Sequence, residues 1–152
     1  MPMADGGLGL VVGDVTGHGI GPALLMAETR AYVRIAALNR AEPSDVLTRT
    51  NVALAEDIGS ERFVTLFLGR LDAAERRLTY VSAGHPPGYL LAPDGSVRTE
   101  LRRTGVPLGM RANTEYRPGA PLSARWGGIW SRRLKPPRIG CPISVPTSGA
   151  ML

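Results

Sequence analysis

The chain is poor in the residues that many familiar chemistries require. Its 152 residues include one cysteine (Cys141), one lysine (Lys135) and two histidines (His18 and His85). A single cysteine excludes an internal disulfide and gives no sign of an oxidising compartment. One cysteine and two histidines also argue against a zinc site. No Gly-Lys-Ser/Thr phosphate loop and no Gly-x-Ser-x-Gly nucleophile elbow exist, and the dinucleotide pattern begun by Gly17 and Gly19 fails at Pro22. No apolar run approaches the ~20 residues that cross a bilayer. Residues 1–6 lack the basic and then apolar sections of a secretory leader. These absences place the chain in the cytoplasm by default, with no membrane partner.

Acid is missing from one end. All 13 Asp and Glu lie at or before Glu115, while residues 117–152 hold five Arg and Lys135. The net charge of +5 therefore comes from the tail: residues 1–116 sum to −1 and residues 117–152 to +6. A nearly neutral, mixed main part does not steer toward a polyanion. Trp126 and Trp130 stand near tail arginines and could stack on bases, but no organised element presents them. Nucleic acid is not the expected partner.

What is present suits one globular domain: 43% hydrophobic and 20% charged residues. Leu8 to Gly13 reads as a buried strand ending at Asp14, followed by a glycine-rich turn over residues 17–21. Pro22 then opens an amphipathic helix to about Leu38. Ala23, Leu24, Met26, Ala27, Ala31, Ile35 and Leu38 form its apolar face. A second helix is expected after Ser44, as N-cap, running toward Ile58 with Val46, Leu47, Leu54 and Ile58 inward. Residues 63–71 and 78–83 read as a strand hairpin. Two more strands, 89–92 and 96–101, flank the turn Pro93-Asp94-Gly95. A strand, two helices and a run of antiparallel strands make an α+β fold rather than alternating βαβ units. Residues 111–152, with six prolines and five glycines, carry no sustained period.

Two constellations could carry chemistry. In Gly13-Asp14-Val15-Thr16-Gly17-His18-Gly19, a carboxylate at a strand end meets a turn where glycines allow close backbone approach. That pattern suits a hard cation such as Mg²⁺ or Mn²⁺; Asp14 as a turn cap and His18 as a loop surface residue is the plainer alternative. In Ala83-Gly84-His85-Pro86-Pro87, the two prolines restrict His85. It reads as a ligand, a proton donor or a strand-end residue bonded to backbone.

Taken together, the motifs resemble the SpoIIE-like protein phosphatases. Residues 10–19 with Ala23-Leu24-Leu25-Met26-Ala27 match the central signature. Arg62-Phe63-Val64-Thr65-Leu66-Phe67, then residues 78–87, then Thr104-Gly105-Val106-Pro107-Leu108-Gly109 follow in the family's order, so the likeness covers roughly residues 7–117. The resemblance implies a partial sandwich of antiparallel sheets flanked by helices, with two divalent cations, Mn²⁺ or Mg²⁺, at one end. Such pairs sit ~3.5–4 Å apart and activate a bridging water, which attacks a phosphoserine or phosphothreonine. It implies Asp14 as a metal-bridging carboxylate, the backbone carbonyl of Val15 as a second metal contact, and His85 and His18 near the site. The implied substrate is a phosphorylated anti-anti-sigma-like regulator.

The sequence also departs from the family. The family's first metal-binding acid lies in a strand before the one ending at Asp14. Its later acids, a Thr-Asp-Gly and an Asp-Asp, have no counterpart after Pro118-Gly119. One carboxylate of about four remains, and one cannot balance two hydrated divalent cations. A catalytically inactive copy acting at most as a partner-binding module is therefore the rival reading. The expected division is a partial phosphatase domain over residues 1–117 and an irregular basic Pro/Gly-rich tail over 118–152. With 17 Arg to one Lys, and both tryptophans beyond Gly119, the tail reads either as a segment translated out of the ancestral frame or as a natural disordered extension.

Overall fold

The computed structural model describes residues 1–58 and 62–123. Strand β1 (Leu8–Val15) leads into helices α1 (Ile20–Asn39) and α2 (Pro43–Asp57). Strands β2 (Val64–Asp72) and β3 (Arg77–Ala83) form a hairpin, followed by β4 (Gly88–Leu91), β5 (Val97–Leu101) and the short β6 (Leu122–Ser123). Four strands make one antiparallel sheet in the order β1-β2-β3-β6, and β4 pairs with β5 in a second sheet. The α+β architecture of helices with antiparallel sheets is the one the sequence implies. Among the described residues, no helix is long and apolar enough to cross a membrane.

Turn chemistry sets the hairpins. Asp72 Oδ1 accepts the Glu75 N–H at 2.9 Å between β2 and β3. In the β4–β5 turn, Asp94 Oδ1 accepts from the Ser96 N–H at 2.9 Å and its hydroxyl at 2.7 Å, while Gly95 supplies a φ of 84°.

The core lies between the large sheet and the helices. α1 lies over β1 and against α2, and α2 lies over β2 and β3. Period-two alternation turns Val64, Leu66, Leu68, Val81 and Ala83 toward the helices, and each is at most 2% exposed. Leu25, Val33, Ala37, Val46, Leu47 and Leu54 meet them from the helices. Burying one such aliphatic side chain contributes roughly 1.5–3 kcal/mol.

Four expectations change. β1 is not a buried strand: it is the sheet's edge, and Leu8, Leu10 and Val12 are 46–58% exposed on the face away from the helices. The inner face of α1 is also different. It buries Leu25, Thr29, Val33 and Ala37, whereas Leu24, Ile35 and Leu38 are exposed, as are Ala23, Ala27 and Ala31; of the expected face only Met26 packs on the core. The helix is apolar on both sides, so its period alone could not choose. Thr29 can face the core because its hydroxyl donates to Leu25 O at 2.7 Å. Ser44 is not the N-cap of α2; Glu42 holds that position and Pro43 follows inside the first turn. Finally, the chain beyond Pro118 is not wholly irregular. The Gly119 N–H donates to Tyr80 O at 2.8 Å, and Leu122 and Ser123 pair with Leu78 and Arg77. Lys135, Cys141, Trp126, Trp130 and the rest of the tail lie outside the described residues.

A strap over residues 104–109 closes the sheet end that carries Asp14. The Gly84 N–H donates to Gly105 O at 2.8 Å, and Leu108 exchanges two backbone hydrogen bonds with Val64 at 2.8 and 3.0 Å. Buried Asn51 on α2 ties the strap down. Its Oδ1 accepts the Gly109 N–H at 2.9 Å, and its Nδ2 donates to Arg111 O and Ala112 O at 2.8 and 2.9 Å. The Tyr116 hydroxyl donates to Val106 O at 2.9 Å, and burial raises this phenol's pKa.

Two pairs of variants test this account by urea unfolding. Leu25→Ala is expected to lower stability by about 2–5 kcal/mol, and Leu24→Ala by no more than about 0.5 kcal/mol; equal effects would show that the α1 face is misassigned. Gly84 and Gly95 both have positive φ, 65° and 84°, but only at Gly84 would a Cβ run into a neighbour, the ring of Pro107. Gly95→Ala should cost about 1 kcal/mol and Gly84→Ala about 3 kcal/mol or more. A Gly84→Ala protein as stable as Gly95→Ala would refute the packing of the strap on Gly84.

Candidate active site

Asp14 is the last residue but one of β1, set opposite Thr65, with Val15 opposite Val64. Its carboxylate is exposed, and Oδ1 accepts the Val15 N–H at 3.0 Å. The chain leaves the sheet through Thr16. The Thr16 N–H donates to Phe63 O at 3.2 Å, and Thr16 Oγ1 accepts the Phe63 N–H at 3.2 Å. Gly17 and Gly19, at φ of 92° and 93°, then turn it into α1. These left-handed positions explain the glycines that the sequence places there.

α1 begins without a side-chain cap and with no acid in its first turn. Its free N–H groups and dipole leave partial positive charge beside the turn. The Arg62 guanidinium adds to it: a side chain built on Gly21 would lie 3.3 Å from both of its terminal nitrogens. The region next to Asp14 therefore favours an anion.

His85 reaches the same end from β3. Its Nδ1 is 3.0 Å from Thr65 Oγ1, and the same hydroxyl is 3.4 Å from Asp14 O. Behind it, buried Ser82 is held from several sides. Its N–H donates to Thr104 Oγ1 at 3.0 Å, its carbonyl accepts the N–H groups of Thr104 and Gly105 at 2.9 and 3.1 Å, and its hydroxyl donates to His85 O at 3.4 Å. The fold thus joins Asp14 and His85 through one intervening residue. His18 is exposed on the Gly17–Gly19 turn, and no hydrogen bond among the described residues links it to that group.

The donor chemistry fits a hard cation in kind but not in number. The Asp14 carboxylate and the Val15 carbonyl are oxygen ligands of the type that Mg²⁺ and Mn²⁺ take. Among the described residues, however, no group of three or more His, Cys, Asp or Glu stands close enough to hold a metal ion. A two-cation centre needs several carboxylates to balance its charge, and the described residues do not by themselves provide one.

Sequence reasoning did not single out Thr65, Ser82 or Thr104. Thr65 lies in a run of β-formers and carries a polar group at a period-two position opposite in phase to Val64 and Leu66. That phase put it on the outer face of the sheet; only strand pairing put it beside Asp14.

The stage II sporulation protein E (SpoIIE) family model matches residues 4–120. Phosphoserine phosphatase RsbU of Bacillus subtilis (strain 168) is 26% identical over 110 residues, which is 72% of this chain and 33% of that protein. Phosphoserine phosphatase RsbP of the same organism is 29% identical over 112 residues, 71% of this chain and 28% of its own length. The chain thus spans a third or less of these relatives. Among solved structures, the RsbU and RsbW domains of Rv1364c from Mycobacterium tuberculosis superpose with a TM-score of 0.64 at 32% identity, over 74% of this chain and 32% of that one. The SiaA-PP2C domain of Pseudomonas aeruginosa shares the fold, with a TM-score of 0.62 at 22% identity over 77% of this chain and 46% of that one. With the family model covering more than three quarters of its residues, the chain belongs to the SpoIIE family.

Proposed function

We propose that the chain carries the Asp14-containing part of a metal-dependent protein serine/threonine phosphatase whose substrate is a phosphorylated anti-anti-sigma-type regulator. SpoIIE-family phosphatases are generally metal-dependent. The relatives RsbU and RsbP are named phosphoserine phosphatases, and the Mycobacterium tuberculosis neighbour holds an RsbU and an RsbW domain in one chain. The observation that carries the reading is the convergence of Asp14, Thr65 and His85 at one end of the sheet. The uncapped start of α1 and Arg62 supply the local positive charge that a phosphoryl group needs. Asp14 and the Val15 carbonyl are the metal contacts of this reading; His85 is its site-proximal proton-exchanging group, and His18 lies on the neighbouring turn. Mn²⁺ or Mg²⁺ is the cation class, in the cytoplasm.

A second reading rests on the shortage of carboxylates. On that reading this chain binds the phosphorylated regulator without turning it over. The two are separated by calorimetry with Mn²⁺ and by phosphate release from a phosphoserine-bearing regulator. With Asp14 as the one acidic ligand, Mn²⁺ should bind weakly, with a Kd above about 10⁻⁴ M, since the affinity of a hard cation falls with the charge count of its oxygen ligands. Phosphate release by this chain should stay at background, while the phosphorylated regulator is retained in preference to the unphosphorylated one. Micromolar Mn²⁺ binding and turnover, both lost in Asp14→Asn, would instead show that the chain is a working phosphatase. Neither retention nor turnover would overturn the assignment altogether.

A further inference from the structure

The Thr65 hydroxyl lies between two groups that constrain its single proton. Oγ1 is 3.4 Å from Asp14 O and 3.0 Å from His85 Nδ1. A carbonyl oxygen only accepts, so the hydroxyl serves Asp14 by donating to it. Its proton is then spent, and the contact with His85 requires Oγ1 to accept. The ring must therefore carry its proton on Nδ1. In the opposite arrangement the hydroxyl donates to Nδ1 and the contact with Asp14 O is no longer a hydrogen bond. Only the first arrangement satisfies both contacts.

The surroundings hold the imidazole in this relation. The backbone at Gly84 takes a φ of 65° and is bonded to Gly105 O at 2.8 Å. The carbonyl of His85 accepts the Ser82 hydroxyl at 3.4 Å, and Pro86 and Pro87 follow directly. Thr65 is itself fixed by its place in β2 opposite Asp14.

We propose that Thr65 is a positioning residue that locks His85 in the Nδ1–H tautomer, leaving Nε2 as the nitrogen that accepts a proton. The hydrogen bond made by one ring nitrogen decides which nitrogen is protonated, and so which one is open to chemistry. The relay runs from His85 Nδ1–H to Thr65 Oγ1 and from Thr65 Oγ1–H to Asp14 O. It couples the imidazole to the backbone of the residue whose carboxylate marks the site. The use of Nε2 in phosphoryl transfer rests on the phosphatase reading; the tautomer itself does not.

Long-range ¹H–¹⁵N correlations of the histidine rings test this on the full chain without any metal or substrate. Spectra are taken at about pH 8.5, two units above the usual histidine pKa near 6.5, with His18→Gln used to assign the two rings. In the wild type, His85 is expected to show the Nδ1–H pattern. Thr65→Val, which keeps the shape but removes the hydroxyl, should convert it to Nε2–H, and Thr65→Ser should restore Nδ1–H. An Nε2–H pattern for His85 in the wild type overturns the proposal, and that measurement needs no variant to fold. So does an Nδ1–H pattern that survives in Thr65→Val, or one that Thr65→Ser fails to keep. A locked Nδ1–H tautomer in a chain that neither retains nor hydrolyses the phosphorylated regulator would fail the phosphatase reading alone.

Discussion

The antiparallel register of β1, β2 and β3 is the constraint on which the site depends. It sets Asp14 opposite Thr65 and Leu66 opposite Ala83, so that β3 ends beside the end of β1 with β2 between them. A slip of one residue in β2 would send Thr65 to the helix face and Leu66 to the outer face. The core prevents this, because Val64, Leu66 and Leu68 can only be buried in one phase. Packing of apolar side chains on one face of the sheet thus fixes the position of polar ones on the other.

Buried polar groups then finish the site end. Ser82 and Asn51 are both 0% exposed and both bond to the segment that follows β5: Ser82 through its backbone to Thr104 and Gly105, Asn51 through its side chain to the backbone at Gly109, Arg111 and Ala112. Such groups are costly when unpartnered and restrictive when satisfied. Together with buried Leu108 they hold this loop as a fixed strap, and that strap packs on the turn bearing His85. At the other end of the sheet, Arg70 is paired with Asp5 and with Asp72 at 3.1 Å, which joins the N-terminal turn to the β2–β3 hairpin. The Arg70 guanidinium lowers the pKa of both carboxylates, chiefly by its hydrogen bond at Asp5 and after the Glu75 backbone bond at Asp72.

Asp14 itself stays exposed on an edge strand. The open side of β1 and the solvent-facing side of α1 both carry apolar residues, Leu10 and Val12 on one and Leu24 and Ile35 on the other. Leu10, Val12 and Leu24 themselves belong to the segments that carry the family's signature motif.

Much was legible in the sequence. The β2–β3 hairpin, the Pro-Asp-Gly turn, the presence and C-terminal ends of both helices and the glycines flanking His18 follow from local rules: alternation, turn chemistry and the left-handed freedom of glycine. The family and the candidacy of Asp14 and His85 were legible too, because motifs are carried by consecutive residues. The inner face of α1 was not, since a helix apolar on both sides has two equivalent periods and only its neighbours break the tie. The exposure of β1 was not, because an apolar strand reads alike in the middle of a sheet and at its edge. Thr65 was not, because an ordinary threonine in a strand gains its meaning from the residue across the ladder. The sequence determined which residues are chemically capable; strand pairing and core packing, which act between distant residues, decided which of them meet.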